Sequence, residues 1–167
     1  MFDREFTNED YKKLLYAADG FSKVFSGCKK VSVGSIIIEP DFYSPSGYNV
    51  VGEGTNRAIP NLCKNVECRR IQLYGEDSKN HRLPSDCRAI HSELDAIISA
   101  KRNLHGDTII VTRYPCEACA RAIVTAGIKT VVYGRKQKIS EETQNIFDSV
   151  KVTVIHVEDW DAEDTER

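Results

Sequence analysis

What this chain has little of narrows the field before any motif is read. No apolar run approaches the roughly 20 residues that cross a bilayer, and Met1-Phe2-Asp3-Arg4-Glu5 is too charged to open a secretory signal. Neither a membrane partner nor export is expected, and a cytoplasmic location is. A basic excess is also missing. The 23 lysines and arginines face 25 aspartates and glutamates, for a formal charge of −2 and a pI near 6.1. Proteins that grip a polynucleotide usually carry the opposite balance, so no polynucleotide partner is expected, although a local cluster could still hold a small anion. Repeats and low-complexity tracts are lacking, which argues against solenoids and linkers. With 41% hydrophobic and 29% charged residues the chain is not disordered by composition, and 167 residues suit one domain with a substantial core.

Cysteine is not scarce. Six are present, and in a reducing compartment they read as metal ligands before disulfides. Two fall in Pro115-Cys116-Glu117-Ala118-Cys119, downstream of His91-Ser92-Glu93. One imidazole and two thiolates suit zinc, and three protein ligands leave the fourth tetrahedral position for water, the catalytic form of a zinc site. Glu93, two residues from the histidine, is placed to move protons without binding the metal. Both motifs fall where a helix is expected to begin, and helix N-termini favour thiolates and other negative charge.

Apolar spacing predicts a helix from Thr7 to Gly27, with Thr7 and Asp10 at its start. A strand over 31–38, a turn over 40–47 and a returning strand over 48–54 follow. From 55 to 90 the periodicity is lost, and this cysteine-containing stretch reads as a long insertion held by some internal staple. Helix over 91–103, strand over 108–112, helix over 116–127, strand over 130–133, helix over 140–147 and strand over 150–157 complete the order. The expected fold is a three-layer α/β/α sandwich on a mixed five-stranded sheet, its later strands parallel. One domain would occupy 1–157, with 158–167 an acidic, frayed tail.

The pairing of His-x-Glu with Pro-Cys-x-x-Cys is the pattern of zinc-dependent nucleobase deaminases. With Cys28-x5-Gly34, Gly54-Thr55-Asn56-Arg57, His91-Ser92-Glu93-Leu94-Asp95-Ala96-Ile97 and Ala126-Gly127-Ile128-Lys129, the sequence resembles the cytidine deaminase superfamily, and within it most nearly the deoxycytidylate (dCMP) deaminases. That family more often has His-Ala-Glu-x-Asn-Ala-Ile and Gly-Tyr-Asn-Gly. Ser92, Asp95, Thr55 and Arg57 are departures here, and none is an expected metal ligand.

The resemblance implies hydrolytic deamination of dCMP to dUMP by a zinc-activated water, supplying thymidylate synthesis. His91, Cys116 and Cys119 would bind the catalytic zinc and Glu93 would shuttle protons. Asn56 would meet the nucleotide's sugar or base, unless it is simply a turn residue. Arg57 and Ser92 join the candidate substrate contacts. Tyr114 either stacks on the base or belongs to the core. Four of Cys28, Cys63, Cys68, Cys87 and His81 could close a second, structural zinc, the alternative being ordinary buried thiols. Arg57, Lys64, Arg69, Arg70, Arg82 and Arg88 supply donors for a 5′-phosphate. A homohexamer regulated by dCTP and dTTP is likewise implied by the resemblance alone. Other readings are a deaminase of dCTP, a modified dCMP or cytidine, and a non-catalytic, zinc-stabilised nucleotide-binding module that would have no use for Glu93.

Overall fold

The computed structural model describes residues 5–80, 83, 86–136 and 140–162. His81 and Arg82, two of the candidate ligands and donors, lie outside the described residues.

The first helix, α1 (Asn8–Phe25), starts at a reciprocal capping box. The Thr7 side chain accepts from the Asp10 N–H, and the Asp10 carboxylate accepts from the Thr7 N–H. Leu14, Leu15 and Ala18 form its buried stripe, and Gly27 turns the chain away at φ 63°. Strands β1 (Gly34–Pro40) and β2 (Tyr48–Thr55) form the expected antiparallel hairpin. Inside the long insertion the structure contains a short helix, α2 (Arg69–Tyr74), and a 3-10 turn over Gly75–Lys79, where periodicity predicts nothing. The helix α2 buries no residue and has no side-chain cap, so no amphipathic signal announces it.

Then come α3 (Ser92–Ala100), β3 (Thr108–Arg113), α4 (Glu117–Thr125), β4 (Thr130–Arg135), α5 (Glu141–Ser149) and β5 (Thr153–His156). The sheet order is β2-β1-β3-β4-β5. β1 is antiparallel to both neighbours, whereas β3, β4 and β5 are parallel. The mixed five-stranded sheet is as expected.

Alternation along β1 and β3 divides the core. Ile37, Ile109 and Val111 join Ala96, Ala120, Ile123 and Phe147 on the face covered by α3, α4 and α5. Ile36, Ile38 and Ile110 join Leu14, Leu15 and Ala18 of α1 on the other. Trp160 and Val157 also belong to that second cluster. The frayed tail therefore does not begin at Glu158: Trp160 is only 7% exposed, and Asp159 bonds both Asn8 and Lys12. Acidic composition suggests fraying, but one indole and two partners on α1 outweigh it. Residues 163–167 lie outside the described residues.

Candidate metal centre and active site

The site forms at one end of the strands, where β2 and β3 finish and β1 starts. Antiparallel pairing puts the end of β2 beside the start of β1 (Thr55 opposite Gly34), and β1 starts beside the end of β3 (Ser35 opposite Val111). The chain leaving β3 runs into α4, and α3 begins over the β2 end. Gly54 permits that approach: a Cβ there would stand 2.1 Å from the Ser92 carbonyl oxygen and 2.3 Å from the Ala96 nitrogen.

His91 is the N-cap of α3 and Cys116 the N-cap of α4, both in extended backbone and neither capping its helix through its side chain. The first-turn N–H groups therefore stay available to favour negative charge. His91 Nδ1 lies 3.5 Å from Cys116 Sγ and 3.4 Å from Cys119 Sγ. A tetrahedral zinc with N and S bonds of about 2.0 and 2.3 Å has ligand-to-ligand edges of roughly 3.5 Å, so the three donors fit the ion. Among the described residues this trio alone brings three candidate donor atoms within 4.8 Å of one another.

The three groups also shift one another's titration. A hydrogen bond from Cys119, supported by His91, holds the Cys116 thiol down to about 4. Cys119 is pushed upward by the Cys116 thiolate and by burial. His91 is raised to about 10 by its hydrogen bonds to Cys116 and then Cys87.

Glu93 is 5% exposed, and burial pushes its carboxyl above the usual carboxylate range. Its Oε2 accepts from the Ser92 hydroxyl at 3.1 Å, and the Ser92 and Ser35 hydroxyls lie 2.7 Å apart. Since the single Ser92 proton goes to Glu93, Ser35 donates to Ser92. Both serines are essentially buried, so this relay is built into the scaffold. Ser92 thus touches the Glu93 carboxylate. Ser35 is the member that sequence reasoning misses. Its one signal is a hydroxyl at the head of a strand whose next three residues are isoleucine.

The other candidates fall elsewhere. Asn56 is 8% exposed. Its Oδ1 accepts from Ser26 Oγ at 2.6 Å and the Val33 N–H at 2.9 Å, while Nδ2 donates to the Val31 carbonyl at 2.7 Å. It ties the loop after α1 to the end of β2. Tyr114 is 2% exposed, edge-on to Tyr133 and Phe147, with its hydroxyl donating to Gln144 Oε1 at 3.1 Å. Of its two readings the structure places it in the core. Arg57 Nη2 lies 2.8 Å from Asp95 Oδ1, so two departures from the commoner motif meet each other.

Cys28, Cys63, Cys68 and Cys87 all line one cavity of about 30 Å³, together with Lys29, Arg69, Arg70 and Arg88. All four are free thiols. Cys87 also hydrogen-bonds His91, which lowers the Cys87 thiol, so the cavity wall adjoins the His91–Cys116–Cys119 trio.

Comparison with known proteins agrees with this geometry. A family model described as the cytidine and deoxycytidylate deaminase zinc-binding region matches residues 8–135. ComE operon protein 2 of Bacillus subtilis is 31% identical over 137 residues, 80% of this chain and 64% of that protein. Deoxycytidylate deaminase of Mycobacterium phage D29 is 30% identical over 112 residues, 66% of this chain and 84% of that protein. This chain thus spans just under two thirds of the Bacillus protein's length. The dCMP deaminase of cyanophage S-TIM5, solved with dCMP and dUMP, shares the fold at a TM-score of 0.65 and 20% identity, covering 91% of this chain and 99% of that one. A bifunctional deaminase/reductase of Thermotoga maritima does so at 0.59 and 22%, covering 90% of this chain and 37% of that one. The matched region runs through β1 to β4 and takes in His91, Glu93, Cys116 and Cys119, and on that basis the chain belongs to the cytidine and deoxycytidylate deaminase family.

Proposed function

We propose that this protein is a zinc-dependent hydrolase that deaminates dCMP to dUMP. The observation that carries the reading is a buried carboxylate, Glu93, beside three donors spaced for one zinc ion. When bound, zinc lowers the pKa of a water ligand to roughly 7 and so supplies a nucleophile at neutral pH. His91, Cys116 and Cys119 would hold the ion. Glu93 would take one proton from the attacking water and deliver it to the cytosine ring nitrogen N3 as the C4–O bond forms. It would then carry the remaining hydroxyl proton to the amino group as the C4–N bond breaks, so that ammonia leaves and the C4 carbonyl of uracil is formed. Burial suits it to both roles, because a raised carboxyl exchanges protons more readily near neutrality. Ser92, fixed by Ser35, orients the carboxylate.

The choice of dCMP is supported by the dCMP- and dUMP-bound relative and by the basic character of the insertion. Arginine suits a 5′-phosphate, and Lys64, Arg69, Arg70 and Arg88 stand in the loop.

The four thiols that line one cavity are the candidates for a second, structural zinc, although no three of their sulfurs lie within 4.8 Å of one another. Lys29, Arg69, Arg70 and Arg88 line the same cavity and would compensate the net −2 charge of a zinc held by four thiolates. A hexamer, control by dCTP and dTTP, a role in thymidylate supply and a cytoplasmic location belong to the same proposal.

A deamination screen over dCMP, CMP, dCTP, deoxycytidine and cytidine, with and without dCTP or dTTP as effector, tests the reading. Turnover highest with dCMP is expected. Turnover of another cytosine compound in its place transfers the reading to that sibling activity, and no turnover of any sinks the enzyme reading. Metal analysis of the same preparation should give two zinc ions per chain, and one would remove the structural site.

A further inference from the structure

We infer that Arg57 is a positioning residue for His91 and Glu93, because it grips the chain on both sides of the histidine. On the upstream side the grip is main chain. The Arg57 N–H donates to the Ile90 carbonyl at 2.9 Å, and the Ile90 N–H donates to the Arg57 carbonyl at 3.0 Å, an isolated antiparallel bridge. On the downstream side it is the side chain, whose Nη2 lies 2.8 Å from Asp95 Oδ1. The metal-binding histidine sits between these two attachments, and so does Glu93.

Asp95 completes the clamp. Its Oδ2 accepts the Thr55 N–H at 3.1 Å, and its own N–H donates to the His91 carbonyl at 3.0 Å. The Asp95 side chain is only 8% exposed, whereas that of Arg57 is 60% exposed. A buried carboxylate requires a partner, and the cation that supplies it is the residue already bridged to Ile90. The first turn of α3 is therefore tied twice to the end of β2. The backbone bridge would survive any side chain at position 57, and only the guanidinium reaches past His91 to the helix. Asparagine at position 95 could still accept from Thr55 but would not draw a cation. Arginine at 57 and aspartate at 95 thus make sense together, and each alone would leave a charge unmatched.

The turnover arm of the test rests on the dCMP deaminase reading, and the zinc arm does not. Arg57→Ala, Arg57→Lys, Asp95→Asn and the double variant Arg57→Ala/Asp95→Asn are compared as zinc-loaded protein. Zinc affinity is read by competition with a chromophoric chelator, and kcat and KM are measured with dCMP and with deoxycytidine, which lacks the phosphate. For Arg57→Ala and Asp95→Asn, zinc affinity and kcat should each fall about 10- to 100-fold, the range for residues that orient metal ligands. KM should stay within about twofold for both substrates. Arg57→Lys should recover part of the loss, and the double variant should be no worse than the worse single variant, as expected for one coupled pair. Should Asp95→Asn not fold, the alanine and lysine variants at 57 still decide.

A raised KM for dCMP alone, with zinc affinity and kcat intact, would make Arg57 a phosphate contact and overturn the inference. A lowered melting temperature with zinc affinity and kcat unchanged would reduce the pair to fold stability and overturn it too. If no cytosine compound is turned over but the chelator series behaves as stated, the positioning role stands and only the proposed reaction fails.

Discussion

Glu93 is the residue on which the proposed proton transfers turn, and the buried Ser35–Ser92 pair holds it in place. Ser92→Ala removes the hydroxyl that donates to Glu93 Oε2 without touching a metal ligand. It should lower kcat about 10-fold, in the range for supporting hydrogen bonds, with bound zinc unchanged by metal analysis. Glu93→Gln should be far more severe, on the order of 10³ in kcat, again with zinc retained. Equal losses from the two variants would mean that the relay, rather than the carboxylate, carries the proton. The carboxylate and the ligands are legible in the sequence, whereas the relay is not. His-x-Glu and Pro-Cys-x-x-Cys each act within one helical turn, so neighbours in sequence are neighbours in space. The residues that tune them depend on sheet register. Ser35 meets Ser92 across 57 positions, and Arg57 finds Asp95 only because β2 ends over α3.

Among the helices and strands, one tight seam is that of β2 and α3, where Gly54 allows backbone to approach backbone. Gly54→Ala would push a methyl group into the Ser92 carbonyl and the Ala96 nitrogen, and neither is a flexible side-chain end. A destabilisation of about 3 kcal/mol is expected, the upper end for overpacking, readable by urea denaturation. Because the displaced turn carries Ser92 and adjoins His91, zinc affinity should weaken in the same variant. Gly20→Ala makes the control: a Cβ there meets nothing within 4 Å, and stability should stay the same or rise slightly. Elements with a regular apolar stripe are legible in the sequence to within a few residues, and the 55–90 insertion is not. Its order comes from contacts that leave no period: the Asn56 hydrogen bonds, the Arg57–Ile90 bridge and four thiols around one cavity.

Across the whole molecule, the sheet separates two tasks. The face under α3, α4 and α5 carries the candidate metal ligands, while the other is covered by α1 and closed by residues after β5. Trp160 fits against Gly134 so closely that a Cβ on that glycine would stand 2.2 Å from the indole. The Arg135 guanidinium lies 4.7 Å from the indole ring centroid. On either side, Asp159 pairs with Lys12 at 3.1 Å and Tyr16 donates its hydroxyl to Asp161. This strap binds α1 to the parallel end of the sheet, yet none of these contacts involves His91, Glu93, Cys116 or Cys119. Trp160→Ala should therefore cost about 3 kcal/mol through the cavity it leaves, a fall in Tm of about 10 °C for a chain of this size. Measured well below that Tm, kcat and zinc affinity should equal those of the parent protein. Loss of turnover in a variant still folded by circular dichroism would show that the two faces are coupled through the sheet, and that α1 is part of what holds the candidate site in place.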